Sequence, residues 1–223
     1  MQARYISGVD VDVLLNADAA PWQGVGSETV ALMGTPVGLQ PAPPIVMNWV
    51  TKKIGAVPSV EVSALHDGSR IAFRLEWSDP NQNIAVEDID AFTDSAAILL
   101  PSVPKAPMPT MGAAGLAVNG WLWRGDENDQ GRQVVAEGIG TTRTLDTELV
   151  QGRGSWKGGR WRAVITRSLK VDTSDPVAQL EPGQVTGFGV AIWEGGNMER
   201  GGIKAYSIDW RELQLEAAPT ARR

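Results

Sequence analysis

The chain has 223 residues, 43% of them hydrophobic, which suffices for one sizeable core but not for two comfortable domains, so one domain over residues 1–223 is expected. A formal charge of -6 and an isoelectric point near 4.9 exclude the basic face that nucleic acid, an anionic membrane or an acidic protein partner would need. The absence of cysteine excludes disulfides, thiol catalysis, iron-sulfur ligation and covalent c-type haem attachment, and suits an oxidising compartment.

The opening MQARYISGVDVDVLLNADAAPW has no basic stretch followed by a long apolar run, so neither a cleavable signal nor a membrane span is legible there or further along. Two Pro-rich passages, GTPVGLQPAPP (34–44) and PSVPKAPMPT (101–110), are incompatible with central strands because proline lacks the ladder donor, and they are expected as surface loops. SVEVSALHDGSRIAFRLEW (59–77) reads as a hairpin. Its second arm puts Ile71, Phe73, Leu75 and Trp77 on one face and Ala72, Arg74 and Glu76 on the other, the period of two that marks a strand. His66, the sole histidine, falls at the HDGSR turn and is expected to be solvated.

DPNQNIAVEDIDAFTD (79–94) is acidic enough to suggest calcium, but it lacks the spacing of an EF-hand loop and reads as a solvated acidic loop. Further strands are expected in LAVNGWLW, WRAVITRSL, GFGVAIW and IKAYSIDWRELQL, with GSWKGGRWRAVITRSL (154–169) as a second hairpin. With 25 glycines and 14 prolines punctuating short segments, the fold class is all-β: an antiparallel sandwich of two sheets with long Pro-rich loops and little helix. The tail EAAPTARR is expected to fray.

Chemistry is sparse. One histidine and no cysteine leave no constellation for nucleophilic hydrolysis, no GxSxG accompanies the histidine, and GVGSETV is unlike a phosphate loop. The distinctive feature is a methionine at a loop mouth, Met111 in PTMGAAG, beside the tryptophan-rich strand. A thioether is a soft ligand that suits haem iron and raises its potential; core packing is the competing use of methionine.

Five separated motifs make the chain resemble a known family: APWQGVGSETVAL, ALHDGSRIAFRLEWSDP, DIDAFTDSAAILLP, PTMGAAGLAVNGWLWRGD and GFGVAIWEGGNMERGGIKAYSIDW. They resemble the haem-binding gamma subunits of the type II dimethyl sulfoxide reductase family, which includes ethylbenzene dehydrogenase, dimethyl sulfide dehydrogenase, chlorate reductase and selenate reductase. The ERGGIK form is most similar to its hydrocarbon- and steroid-hydroxylating dehydrogenases.

The resemblance implies a haem b held by a methionine and a lysine, which match Met111 and Lys204, with Met108 second and Met198 third for the methionine and His66 in reserve. Lys204 is the only lysine after Lys170 and directly follows the glycine turn ERGGIK. It ligates only as a neutral amine, so burial and the metal must lower its pKa; without the resemblance it reads as an edge-strand lysine. Trp121, Trp123 and Trp193 are expected nearest the pocket, although tryptophans mostly fill cores. Asn119 and Arg124 stand as uncommitted partners for the haem propionates.

The implied role is non-catalytic electron transfer. Substrate chemistry belongs to a molybdopterin-containing alpha subunit, electrons arrive through an iron-sulfur beta subunit, and an external acceptor such as cytochrome c takes them. A twin-arginine signal on the large subunit would carry this chain to the periplasm; otherwise it stays in the cytoplasm. Two other readings compete: a carbohydrate-binding sandwich with tryptophans exposed for sugar stacking, and a scaffold subunit without haem.

Overall fold

A computed structural model describes residues 1–86, 91–127, 129–145 and 148–219. Positions 87–90 of the acidic stretch and 220–223 of the tail lie outside the described residues. In chain order the strands are β1 (Gln2–Tyr5), β2 (Glu28–Ala31), β3 (Met33–Gly34), β4 (Ser59–His66), β5 (Arg70–Ser78), β6 (Ser95–Pro101) and β7 (Val118–Arg124). They continue as β8 (Arg132–Ala136), β9 (Arg143–Thr144), β10 (Gln151–Trp156), β11 (Arg160–Ser168), β12 (Val185–Trp193), β13 (Ala205–Tyr206) and β14 (Arg211–Leu215). Two short helices, α1 (Val11–Leu15) and α2 (Pro43–Trp49), complete the regular structure with three 3-10 turns.

Both expected hairpins form. Asp67 closes the first, its Oδ1 accepting from the Ser69 and Arg70 amides, and sets Ala64 opposite Phe73. The second sets Trp156 opposite Trp161. The strands run along one hydrogen-bonded path, β10-β11-β5-β4-β1-β14-β12-β6-β7-β8-β9. That path folds into two facing layers because β12 changes partner midway: Val185 to Phe188 pair with β14, and Gly189 to Trp193 pair with β6. Strand β1 departs from the antiparallel rule, pairing parallel with both β4 and β14.

Between the layers lies the main core. Ile71, Phe73, Leu75 and Trp77 of β5 meet Ala96, Ile98, Leu100, Trp121, Trp123, Val190 and Ile192 of the second sheet. Trp77, Trp123 and Trp161 pack together with ring centroids 5.1 to 6.4 Å apart, and such indoles dominate the apolar area of a small β core. Each sheet also carries an outer layer. Leu14 and Leu15 of α1 and Trp22 cover Leu65, Ala72 and Val164 of the first sheet.

Two expectations are revised. The Pro-rich passages are not simple surface loops. Proline at the first helical turn needs no amide donor and presets φ, so Pro43 starts α2, while the 101–110 segment turns inward and buries Ala106 and Met108 against the second sheet. IKAYSIDWRELQL is two strands rather than one. Ser207 exchanges backbone and hydroxyl hydrogen bonds with Val190, and beyond it the chain leaves β12's second-sheet half to form β14 beside its first-sheet half.

Trp123 fits because β10 presents glycine to it. A Cβ on Gly154 would collide with the Trp123 ring, and one on Gly152 would lie 2.8 Å from its Cδ1. Overpacking of this kind costs about 1–3 kcal/mol. We therefore expect Gly154→Ala to lower the melting temperature by roughly 2–10 °C; an unchanged thermal denaturation curve would refute this account of the core.

Candidate functional site

The second sheet is apolar on both faces. Its outward residues, Ala97 and Leu99 of β6, Leu122 of β7 and Ala191 and Trp193 of β12, form the floor of a cavity of about 480 Å³, within the range that holds small ligands and cofactors. Register makes the floor shallow in side chains: Ala191 lies opposite Ala97, which lies opposite Leu122. The walls are loops, with Thr35 to Pro41 and Ile45 on one side, Pro109, Met111 and Ile139 on another, and Glu199 to Gly202 on a third.

Met111 reaches the cavity from an unusual backbone position. The Gly112 amide donates to the Pro107 carbonyl at 2.8 Å and the Met111 amide to the Met108 carbonyl at 3.0 Å, the paired bonds of a Schellman turn. Met111 occupies the left-handed position of that turn, with φ at 56°, where glycine is ordinarily found. A side chain there costs on the order of 1–2 kcal/mol. Left-handed residues other than glycine concentrate at functional sites. Gly112 after it admits no side chain, since a Cβ would lie 2.6 Å from the Ala136 carbonyl oxygen.

Lys204 lines the same cavity just before β13. Its backbone is gripped by Thr35, whose amide donates to the Lys204 carbonyl at 3.0 Å and whose hydroxyl oxygen accepts from the Lys204 amide. The side chain is not that of an exposed edge lysine: the residue is only 8% exposed. Among the described residues its amine has no carboxylate partner and rests 5.4 Å from the centroid of the Trp193 ring. Burial pulls its pKa down to about 8. A partly deprotonated amine and a thioether thus share one apolar chamber, which is a fitting donor pair for a haem iron.

The other sequence candidates fall elsewhere. Met108 is buried, its Cε packed over Gly189, and does not line the cavity; Met198 caps a 3-10 turn and does not line it either. His66, expected to be solvated, ends β4, is 1% exposed and packs edge-on against Tyr5, away from the cavity. Trp193 borders the cavity, but Trp121 and Trp123 point the opposite way, into the sandwich.

Asn119 is likewise internal. Its Oδ1 accepts from the Trp121 indole and from Arg167, a buried guanidinium stacked 4.4 Å from the Trp121 ring and bonded also to Gln133 and the Ala178 carbonyl. Arg124 does line the cavity, with its guanidinium engaged by Asp126. Sequence reading missed Arg200, a second cation on the cavity wall, which lies over Phe92. Of the nine tryptophans six are buried, and Trp156, Trp193 and Trp210 are half-buried.

The family described as ethylbenzene dehydrogenase matches residues 19–148 and 137–205 of the chain. Chlorate reductase subunit gamma of Ideonella dechloratans is 33% identical over 172 residues, covering 77% of this chain and 68% of that protein. The "Putative respiratory nitrate reductase heme subunit ORF7" of Haloferax mediterranei is 27% identical over 224 aligned positions, covering 97% of this chain and 76% of its own. Among solved structures, a family 9 carbohydrate-binding module from Caldicellulosiruptor kristjanssonii in complex with glucose superposes with a TM-score of 0.54, covering 98% of this chain and 96% of that one. At 10% identity that likeness concerns the fold alone.

The buried amine sets a sign for stability. With a folded pKa near 8 against a usual 10.5, Lys204 releases its proton earlier in the folded than in the unfolded chain, so it adds stability as pH rises from about 8 to about 10.5. Lys204→Met should therefore make the haem-free chain more stable at pH 7, by on the order of 3 kcal/mol, and the gap between the two chains should close toward pH 10.5. Urea denaturation at pH 7 and pH 10 measures it; a pH-independent gap would contradict the buried, unpaired amine.

Proposed function

Since the chain belongs to the ethylbenzene dehydrogenase family, we propose that it is a non-catalytic electron-transfer subunit holding one haem b between Met111 and Lys204. The observation that carries this reading is the presence, on one apolar cavity, of a thioether kept in left-handed backbone and a buried amine with no carboxylate partner among the described residues. When bound, a haem b supplies a one-electron iron couple whose potential is set by its axial ligands and surroundings.

The chain's own residues hold and shield that group. Met111 presents its sulfur from a turn fixed by two backbone bonds, and Thr35 fixes the backbone of Lys204. The amine sheds its proton readily because burial has already disfavoured the charged form. Ala97, Leu99, Leu122 and Ala191 exclude water from the floor, which leaves room for a flat macrocycle. Arg124 and Arg200 supply positive charge on the cavity wall for propionates. With no cysteine to bind a cluster, the chain serves one step, between an iron-sulfur beta subunit and an external acceptor such as cytochrome c, while substrate reacts at the molybdenum cofactor of an alpha subunit. On this reading residues 1–223 form one haem domain. No helix among the described residues is long and apolar enough to cross a membrane, and the periplasm, reached with a twin-arginine partner, is the proposed location.

The test is a reduced-minus-oxidised spectrum and a pyridine haemochrome assay on the chain purified with its accompanying subunits. A b-type signal is expected; Met111→Ala and Lys204→Ala should each abolish or shift it, and Met108→Leu should leave it intact. A colourless assembled complex, or spectra untouched by both ligand variants, would point instead to a binding or scaffold sandwich. The left-handed backbone adds a second readout. Haem-free Met111→Gly should melt about 2–4 °C above Met111→Ala, the reverse of the usual order of these residues.

A further inference from the structure

Three strand ends meet at one edge of the sandwich, and each carries a carboxylate. Asp79 follows β5 of the first sheet, while Asp94 precedes β6 and Glu194 follows β12 in the second. One carboxylate oxygen from each lies within 4.8 Å of the other two. Asp79 is 1% exposed and Asp94 is fully buried, so the two ends of the stretch are not solvated, although the residues from Pro80 to Val86 between them are mostly exposed as the sequence suggests. Among the described residues no lysine, arginine or histidine forms an ion pair with any of the three.

The polar accounting leaves acceptors over. Asp94 is held by three donors and keeps one acceptor position open on Oδ1: Oδ2 accepts from the Asn83 amide at 2.8 Å and the Trp161 indole at 2.9 Å, and Oδ1 from the Gly195 amide at 2.8 Å. Burial, the larger effect, pushes its pKa up, and these bonds oppose that by favouring the charged form. On Asp79, Oδ1 accepts from the Asn81 amide, while the buried Oδ2 makes no well-formed hydrogen bond, the Trp77 indole N–H beside the carboxyl being itself unbonded, and the buried Oδ1 of Asn83 has no partner. That amide oxygen belongs to the same cradle, since a Cβ built on Gly196 would lie 2.9 Å from Glu194 Oε1 and 3.2 Å from Asn83 Oδ1. Burial first, and the neighbouring carboxylates second, push Asp79 up to about 6 and Glu194 up to about 7, the direction of a charge cluster lacking a counter-charge. A buried acceptor without a donor costs about 1–3 kcal/mol, and more when charged.

We propose that Asp79, Asp94 and Glu194, with the Asn83 side-chain oxygen, bind a divalent cation, and that the cation is calcium. The donors are all oxygen, which selects a hard ion over zinc or copper. Coordination selects between hard ions: calcium accepts irregular shells of carboxylate and amide oxygens, whereas magnesium demands a near-octahedral shell and retains several waters, and here three carboxylates converge with oxygens within 4.8 Å of one another beside an amide oxygen. A cation here ties β5 of one sheet to the β6–β12 ladder of the other. It also anchors the start of the segment from Glu194 to Lys204, where the Glu194 carbonyl accepts from the Asn197 and Glu199 amides. The site stands independently of the haem reading.

Terbium is a suitable probe on the full-length chain, because the Trp161 indole donates to Asp94 and sensitises emission from a lanthanide bound there. After removal of divalent ions, saturable terbium emission at one ion per chain is expected, displaced by calcium but not by equimolar magnesium. Calcium at a hundredfold excess over its dissociation constant should raise the melting temperature by about 5–10 °C. Asp79→Asn and the less buried Glu194→Gln should each weaken calcium binding on the order of 10–100-fold, with circular dichroism reporting that the fold is kept. The proposal is overturned if the folded wild-type chain binds neither ion, or if Asp79→Asn raises the melting temperature equally with and without calcium, which would mark the cluster as protonated carboxyl groups.

Discussion

Ala97 and Ala191 face each other across the β6–β12 ladder on the side of the sheet turned away from the sandwich core. The rest of the molecule is organised around that pair and its neighbours Leu99 and Leu122. An antiparallel sheet ordinarily offers its second face to water. Here the inner face is filled by Trp121, Trp123, Ile98 and Val190, and the outer face is apolar too, so it requires a second cover. The 101–110 segment, α2 and the Glu199–Gly202 loop provide it, yet they stop short of the alanine floor and leave a chamber. The cavity therefore results from a doubly apolar sheet roofed by irregular chain rather than by a third sheet.

Two residues on that chamber are held at a cost to stability. Met111 stands where a Schellman turn prefers glycine, and Lys204 is buried with its amine unpaired among the described residues. A fold free of functional demand would place glycine and an apolar residue at these positions. Such local departures from the optimum are common where a site must be preorganised for a ligand. A ligand that engaged both residues would stabilise only the folded chain.

The acidic cluster and the chamber share the same stretch of chain. Trp193 lines the chamber, Glu194 joins the carboxylates, and ten residues later Lys204 returns to the chamber. Glu199, 1% exposed, closes the intervening turn by accepting from the Gly55, Ala56 and Glu194 amides and from the Asn197 side chain. The carboxylate cluster at the strand ends and the placement of the amine are thereby joined by one hydrogen-bonded turn.

The sequence by itself determined most of the strands and singled out Met111 and Lys204 as candidates. Period two in Ile71–Trp77 and the glycine turns at 67–69 and 157–159 are local signals, and the β4–β5 and β10–β11 hairpins follow from them. The motifs around Met111 and Lys204 also pointed to two residues that line the cavity. Only the tertiary structure decided which way each side chain faces. Trp121 and Trp193 look alike in sequence, but strand register turns one inward and the other to the chamber. Asp79 and Asp94 read as a solvated run and prove to be buried, because burial arises when Glu194, a hundred positions further on, packs beside Asp94 through the β6–β12 pairing. Periodicity reports faces within one strand; burial and charge compensation are sums over residues that only folding brings together.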